Sequence, residues 1–317
     1  MKNFALIGAS GYIAPRHLKA IKDTKNNLVV SLDPYDGIGI MDSNFPDADF
    51  FTEFEKFDTF IDNFNRQDKI DYFSICSPNY LHQAHIRYGL QHNSDVICEK
   101  PLVLNPNDID ALKIIEKESG KRVYNILQLR LHPSIIALKE RVSKELEKNP
   151  NKIYDIDLTY LTSRGKWYFT SWKGNQDKSG GIASNIGVHF YDMLCWIFGD
   201  VEENIVHLKT PDTNSGYFKL KNATVRWFLS INYDYIPNNI KEMGQRTFRS
   251  IKVDGDELEF SGGFTDLHTK SYQEILKGNG FGLDEAYGSI KTVSTIRNLD
   301  TIGLKGDYHP FCKKVLN

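Results

Sequence analysis

The segment FALIGASGYIA, residues 4–14, indicates the fold of the first domain. Its apolar start predicts a strand, and Gly8 and Gly11 allow a tight turn from which a helix begins. The N–H groups at such a helix start can hold the pyrophosphate of a dinucleotide. Ser10 stands in place of the usual middle glycine and Ala14 in place of the last, so the pattern is only partly regular.

An acidic residue follows the next strand-like segment, LVVSLD, residues 28–33. Asp33 comes 22 residues after Gly11, close to the roughly 20-residue offset of the acid that accepts the ribose 2′-hydroxyl of NAD. A carboxylate there repels the 2′-phosphate of NADP, so the sequence predicts NAD as the cofactor. The alternative is that Asp33-Pro34 only starts a turn.

Strand-like and helix-like segments continue to alternate as far as residue 127. The predicted strands cover residues 4–8, 28–33, 70–77, 95–99 and 121–127, and the predicted helices cover 11–22, 80–91 and a stretch from Pro106. This alternation predicts a mostly parallel sheet with helices on both faces. We therefore expect an α/β protein whose residues 1–126 form a Rossmann domain that binds NAD.

The pattern changes beyond about residue 150, where apolar and polar residues alternate over 154–160 and 225–233. Alternation of this kind predicts half-exposed strands. Asp254-Gly255, followed by Leu258 and Phe260, is a signal for a two-residue hairpin. Because 317 residues exceed the usual size of a single core, we expect a second, α+β domain over 127–317. Its sheet is predicted to be large, open and mainly antiparallel.

Composition excludes several classes of protein. A net charge of −2 with interspersed lysines and acids argues against a nucleic-acid partner. No apolar run is long enough to span a membrane, and the N-terminal run is too short for a signal peptide. The cysteines show no CxxC pair and no disulfide spacing: Cys76, Cys98, Cys195 and Cys312. We expect a cytoplasmic protein with reduced thiols and no membrane partner.

The segment VICEKPLVL, residues 96–104, ends a predicted strand with a lysine held before a proline. Proline gives no N–H to a sheet and disfavours helix at the residue before it. Lys100 is therefore predicted to lie at a fixed strand exit. There it is either a solvated charge or a working amine.

The segment GGIASNIGVHFYDMLCWIFG, residues 180–199, predicts a buried helix with a polar stripe. Asn185, His189 and Asp192 are spaced i, i+4 and i+7 and so share one face. An unpaired buried polar group costs about 1–3 kcal/mol, so the stripe needs partners. One interpretation is a core network in which Asp192 orients His189. A metal site that adds Cys195 is not predicted, because the sequence places no fourth ligand.

A basic, aromatic segment precedes this helix, over residues 159–181. Its side chains could bind phosphate oxygens and stack on a base or a sugar. The alternative is an exposed basic loop. The candidate substrate-binding residues here are Arg164, Lys166, Trp167, Tyr168, Trp172 and Lys173.

Three motifs in this order resemble the Gfo/Idh/MocA family of NAD(P)-dependent sugar oxidoreductases. They are SPNYLH at 77–82, EKP at 99–101 and GGIASNIGVHFYD at 180–192, and the resemblance covers nearly the whole chain. It implies a homo-oligomer, a dimer or a tetramer, assembled through the open sheet. Asn185 departs from the aspartate of many members, which leaves proton transfer to Lys100 and His189.

The resemblance also implies roles for individual residues. Lys100 would approach the nicotinamide, and the catalytic group would be Lys100, Asn185 and His189, of which the last two also contact substrate. Whether Lys100 or His189 is the base stays open. The implied cofactor-binding residues are Gly8, Gly11, Tyr12, Ile13, Asp33, Ser77, Asn79, His82, Glu99, Lys100 and Gln128.

Four further stretches resemble one subgroup of the family. They are GYIAPRHLKAI, the region DPYDGIGIMDSNFPDADFFTEFEKFD, LQLRLHP and RGKWYFTSWKG. The subgroup oxidises C3 of UDP-N-acetyl-2-amino-2-deoxyglucuronate on the way to bacterial surface polysaccharide, and 2-oxoglutarate can take the hydride back. The alternatives are another sugar or nucleotide-sugar dehydrogenase, or an NAD-binding sensor without catalysis.

Overall fold

The computed structural model describes residues 1–258 and 266–315. The chain divides into two compact units, one of residues 1–128 and 266–287, the other of residues 129–265 and 288–317. Residues 266–287, which the sequence places in the second domain, thus belong to the first unit. The assignment of cofactor binding to 1–126 and substrate binding to 127–317 stays a prediction.

The first unit is built on a six-stranded parallel sheet, which confirms the predicted Rossmann architecture. Its strands are β1 Asn3–Ile7, β2 Asn27–Leu32, β3 Asp49–Phe51, β4 Tyr72–Ile75, β5 Asp95–Cys98 and β6 Val123–Asn125. They lie in the order β3-β2-β1-β4-β5-β6. The order reverses at β1, and ligands of such sheets bind outside the carboxyl ends of the strands at this point.

Helices connect these strands, because apolar side chains recur at helical spacing and pack on the sheet. They are α1 Ala14–Asp23, α2 Ile38–Asn44, α3 Phe54–Phe64, α4 His82–Gln91 and α5 Pro106–Ser119. A buried core of the unit contains Phe4 and Leu6 of β1 together with Leu18 and Ile21 of α1.

The second unit carries a mixed six-stranded sheet in the order β12-β11-β7-β10-β9-β8. Its strands are β7 Tyr154–Thr162, β8 Val201–Lys209, β9 Thr213–Leu220, β10 Ala223–Ser230, β11 Thr247–Val253 and β12 Asp256–Glu257. Its helices before β12 are α6 Pro133–Lys148, α7 Trp167–Thr170, α8 Gln176–Ser179, α9 Val188–Phe198 and α10 Asn238–Glu242. The mainly antiparallel prediction is confirmed, although β7 and β10 pair in parallel.

The far ends of β7 and β10 are buried on both faces rather than half-exposed as predicted. Leu161 and Phe228 pack there against Ile236 and the C-terminal Cys312. The predicted hairpin turn is confirmed: Asp254 and Gly255, with φ of 53° and 88°, join β11 to β12. Phe260 lies outside the described residues.

Two further helices follow, α11 Leu267–Leu276 and α12 Leu283–Asn298. Helix α11 packs against α1, and its Tyr272 and Ile275 complete the core of the first unit. Within the described ranges, no helix has both the length and the apolar character needed to cross a membrane.

Candidate active site

The turn after β1 needs glycine at position 8. Gly8 has a φ of +95°, and a Cβ there would lie 2.6 Å from the backbone of Cys76 and Ser77. The Gly11 N–H donates to the Gly8 carbonyl at 3.2 Å, which closes the turn just before α1. Tyr12 is exposed and Ile13 is half-buried at the helix start. The turn lies at the ends of β1 and β4. Because Gly8 has no side chain, the turn allows the close backbone approach that a dinucleotide pyrophosphate requires.

Asp33 follows β2 and lies against the same turn. Its two carboxylate oxygens accept hydrogen bonds at 2.9 Å, one from the Ser10 N–H and one from the Tyr35 N–H. The side chain is buried, yet a carboxylate has about four acceptor positions, so it can still accept a ribose hydroxyl. The residues present therefore fit NAD.

We expect the chain to bind NAD more tightly than NADP by roughly tens of fold, since about 1.4 kcal/mol of repulsion between Asp33 and a 2′-phosphate already gives tenfold. Asp33→Ala should reduce this preference, because it weakens the binding of NAD and removes the repulsion of the 2′-phosphate of NADP. Titration of both cofactors into wild type and variant by fluorescence measures it. Equal or tighter NADP binding by the wild type would show that Asp33 does not have this role.

The segment after β4 is held by two histidines. Ser77 Oγ lies 2.8 Å from His85 Nδ1, and burial lowers the pKa of His85 to about 4, so this imidazole is neutral near pH 7. His82 is buried, with Nε2 2.8 Å from the Ser77 carbonyl oxygen and Nδ1 2.8 Å from the Pro101 carbonyl oxygen. It thus bridges the end of β4 and the EKP segment. Asn79 is also buried in this loop.

Glu99 and Lys100 follow β5 at the same edge of the sheet. Glu99 is buried, and its Oε1 lies 2.9 Å from His17 Nε2 and 2.8 Å from His268 Nε2. Its Oε2 accepts the backbone N–H of Lys100 at 3.1 Å. Lys100 is half-buried, and the Lys100–Pro101 peptide bond is cis. Gln128, at the end of this unit, keeps a buried Oε1 that accepts no hydrogen bond from a described residue.

In the second unit, the helix predicted over 180–199 is present, but it is not a regular α-helix throughout. Gly180 and Gly181 have φ of 80° and 79°, a π-helical turn covers 183–187, and α9 begins only at Val188. Asn185 lies in the π turn and donates through Nδ2 to the Tyr168 hydroxyl at 2.9 Å. His189 lies in the first turn of α9, and both residues are half-buried. Such turns often occur at functional sites.

Asp192 is held by a partner that the sequence pattern does not indicate, Arg130. Its Oδ2 accepts from Arg130 Nε at 2.9 Å and its Oδ1 from Arg130 Nη2 at 2.8 Å, with both side chains buried. The guanidinium also lies 5.6 Å from the Trp196 ring. Both oxygens of Asp192 thus bind Arg130, and the interpretation in which Asp192 orients His189 stays a prediction. The sequence feature that could have indicated a buried partner is Arg130 itself, a single arginine in the apolar LQLRLHP stretch.

The basic segment is partly folded onto the second unit. Tyr168 is buried, whereas Lys166 and Trp167 are exposed and Arg164 and Trp172 are half-buried. Lys173 Nζ lies 5.5 Å from the ring centroid of Trp167 and 5.6 Å from that of Trp172. Burial, followed by the nearby charge of Arg164, lowers the pKa of Lys173. The structure thus gathers cations and aromatic rings in one segment, as a phosphorylated sugar would require.

A parallel sheet in this order, with a glycine turn after its first strand and a carboxylate after its second, defines a dinucleotide-binding protein. The chain belongs to the Gfo/Idh/MocA oxidoreductase family. Residues 2–126 match its "NAD-binding Rossmann fold" and residues 151–239 its "C-terminal alpha/beta domain". Most of the first unit thus corresponds to the family's NAD-binding Rossmann fold.

Three relatives give this assignment detail. The WlbA (WbpB) dehydrogenase from Thermus thermophilus, solved with NAD and UDP-GlcNAcA, is 50% identical with a TM-score of 0.93, over 98% of this chain and 100% of that one. The WlbA dehydrogenase from Bordetella pertussis shares the fold at 19% identity, with a TM-score of 0.75 over 96% and 98% of the two chains. Glucose-6-phosphate 3-dehydrogenase from Bacillus subtilis is 25% identical over 62% of this chain and 54% of its own. The chain spans about half the length of the curated relatives it matches.

Proposed function

We propose that the chain catalyses the NAD-dependent oxidation of the C3 hydroxyl of UDP-N-acetyl-2-amino-2-deoxyglucuronate to the 3-keto sugar. The observation that carries this proposal is the 50% identity, over 98% of the chain, to a dehydrogenase solved with NAD and UDP-GlcNAcA. The side chains that the chemistry needs, Lys100, Asn185 and His189, are all present.

The chain's own contribution to this reaction is to bind the sugar and move a proton. When bound, NAD supplies the acceptor for the hydride that leaves C3. The hydroxyl on that carbon must lose a proton, and His189 is the stronger candidate to take it, because an imidazole titrates near neutral pH. Lys100, as a cation, would stabilise the alkoxide-like charge on the oxygen. The reverse assignment, with Lys100 as the base, is the alternative.

Asn185 is proposed to position rather than to transfer a proton. A neutral amide is not a useful base, and its Nδ2 already donates to Tyr168. Burial raises the pKa of the Tyr168 phenol, so that hydroxyl stays protonated and can itself donate to a neighbouring acceptor. The Tyr168–Asn185 pair therefore gives the substrate-binding segment a fixed contact with the π turn that precedes His189.

The side chains of the basic segment are proposed to bind the UDP-sugar. We expect Arg164→Ala to raise KM for the UDP-sugar about tenfold or more, since a hydrogen bond to a charged group is worth about 1.5–3 kcal/mol. The affinity for NAD should stay within about twofold, because Arg164 is proposed to bind the UDP-sugar and not the cofactor. Steady-state kinetics with varied UDP-sugar measures the change.

A matched control is Lys178→Ala, which removes an exposed cation from the same segment. We expect it to change KM little, because an exposed charge contributes little affinity. An unchanged KM in Arg164→Ala would show that this arginine does not bind the UDP-sugar. Equal increases in both variants would indicate a general effect of charge.

Reduced cofactor is proposed to be reoxidised in place by 2-oxoglutarate, which would become 2-hydroxyglutarate. A Thermus thermophilus relative at 50% identity was solved with NAD and alpha-ketoglutarate. We expect one turnover of the sugar per enzyme without 2-oxoglutarate and continued turnover with it. Multiple turnovers with NAD alone, and released NADH in solution, would contradict recycling.

We further propose that the enzyme works in the cytoplasm, in the synthesis of bacterial surface polysaccharide, as a homo-oligomer that is either a dimer or a tetramer. Light scattering of the purified protein tests the assembly. The reaction is tested with a panel of UDP-sugars and UDP-uronates, scored for both binding and turnover. Turnover limited to UDP-uronates supports the proposal. Binding of NAD without oxidation of any member would favour a sensor.

A further inference from the structure

Glu99 is the centre of a buried cluster that the proposed reaction does not explain. Its Oε1 lies 2.9 Å from His17 Nε2 of α1 and 2.8 Å from His268 Nε2 of α11. All three residues are at least 95% shielded from solvent. A glutamate that only ended a strand would not require two imidazole partners on one carboxylate oxygen.

The hydrogen bonds fix the protons of this cluster. His17 Nδ1 lies 2.7 Å from the Tyr272 hydroxyl, which in turn lies 2.7 Å from Ser74 Oγ. Because an ionised carboxylate can only accept, His17 carries its proton on Nε2 and donates it to Glu99, while its Nδ1 accepts from the Tyr272 hydroxyl. An ionised Glu99 can accept this proton, a second one from His268 and the N–H of Lys100.

The electrostatics agree with this arrangement. Burial alone would raise the pKa of Glu99, but the hydrogen bonds from His17 and His268 outweigh it and hold the pKa well below its usual range. Burial lowers the pKa of His17 by more than its bond to Glu99 raises it. Glu99 is therefore a carboxylate near pH 7 and His17 a neutral donor.

The three side chains are also types that bind zinc, and their ligand atoms lie within 4.8 Å of one another. However, a zinc ion would have to replace the N–H protons that now bind Glu99. Each of these contacts has an ordinary hydrogen-bond length, so the contacts account for the cluster without an ion.

The next residues are held from the opposite side. Glu99 Oε2 fixes the Lys100 N–H at 3.1 Å, and His82 Nδ1 lies 2.8 Å from the Pro101 carbonyl oxygen. The backbone on both sides of the Lys100 carbonyl is thus tied to buried groups. A side chain built on a backbone restrained in this way has fewer directions open to it.

We propose that His17 and His268 hold the Glu99 carboxylate as a positioning group, which fixes the Lys100 backbone and thereby directs its amine. This inference rests on the proposed catalytic use of Lys100. In this role the cluster binds only groups of the chain itself, so it requires no additional cofactor.

The test compares His268→Leu, which removes the donor, with His268→Gln, whose amide can still donate to Glu99. We expect His268→Leu to lower kcat about 10- to 100-fold, the cost of a misplaced group, with KM for the UDP-sugar within about twofold. Hydrogen exchange over residues 96–104 should become about tenfold faster. His268→Gln should restore both. The control His309→Leu removes a buried imidazole of the second unit and should change neither.

Unchanged kcat and unchanged exchange in His268→Leu would overturn the proposal, and so would a His268→Gln enzyme as impaired as His268→Leu. Stoichiometric zinc in the purified protein, with activity lost to a chelator, would replace it with a metal site. Where His268→Leu does not fold, Glu99→Gln gives the same test in an isosteric form. If the wild type oxidises no UDP-sugar, the proposed function fails, while the exchange measurement still decides whether the cluster restrains Lys100.

Discussion

Lys100→Ala and His189→Ala are each expected to lower kcat at least about 100-fold, the lower end of what general acid–base groups contribute. Both changes remove a half-buried side chain, so the fold and NAD binding should persist. The physical reason is that the hydroxyl proton needs an acceptor while charge develops on the oxygen. Steady-state and single-turnover kinetics with the UDP-uronate measure kcat, and calorimetry measures NAD affinity.

The double variant separates two interpretations of this loss. If the two residues act as one unit on the same oxygen, Lys100→Ala/His189→Ala should be about as slow as either single variant. Independent contributions would multiply instead. A folded His189→Ala enzyme with near-normal kcat on its best substrate would contradict the mechanism and return His189 to a core role.

The second large effect is expected on stability. Asp192→Asn should lower the free energy of unfolding by about 3–5 kcal/mol, because it leaves the buried Arg130 guanidinium without its carboxylate. Both oxygens of Asp192 are used at 2.8 and 2.9 Å, and its exposed fraction is only 2%. Denaturant unfolding monitored by tryptophan fluorescence measures the loss.

The matched variant replaces both partners, as Arg130→Met/Asp192→Leu. Buried ion pairs replaced by apolar side chains of similar size are often neutral in stability, so this double variant should recover most of the loss. A surface pair such as Lys219 with Glu202 is the control, since breaking it should cost at most about 1 kcal/mol. If Asp192→Asn also lowered the free energy of unfolding by at most about 1 kcal/mol, the buried pair would not be needed for stability.

The local parts of the fold could be predicted because they depend on neighbouring residues. Gly8 and Gly11 require a turn, Asp33 ends a strand at a characteristic offset, and Asp254-Gly255 closes a hairpin. The predicted strands of the Rossmann sheet follow from near-continuous apolar runs. Each of these signals lies within about 20 residues of sequence, as the offset of the ribose-binding acid does.

The long-range parts could not be predicted in this way. Glu99 is separated from His17 by 82 residues and from His268 by 169, and no periodicity connects them. Arg130 and Asp192 are 62 residues apart. Residues 266–287 belong to the first unit because Tyr272 and Ile275 pack into its apolar core. No local sequence pattern indicates this packing.

The π turn over 183–187 also escaped prediction, because an apolar run with small residues looks the same for α and π geometry. Gly187 shows why the local packing is tight: a Cβ there would lie 2.6 Å from Leu229 and 2.9 Å from Tyr191. The turn changes the spacing between Asn185 and His189 from that of an uninterrupted helix. Sequence placed both residues as candidates but not their geometry.

The most direct test of the proposed function follows the hydrogen on C3. UDP-N-acetyl-2-amino-2-deoxyglucuronate deuterated at C3 would be incubated with the enzyme, NAD and 2-oxoglutarate, and the products would be analysed by mass spectrometry and NMR. We expect a 3-keto sugar that has lost the deuterium, with the label recovered on the nicotinamide or on C2 of 2-hydroxyglutarate. Turnover that retains deuterium at C3, or a sugar left unoxidised at saturating enzyme, would contradict the proposed function.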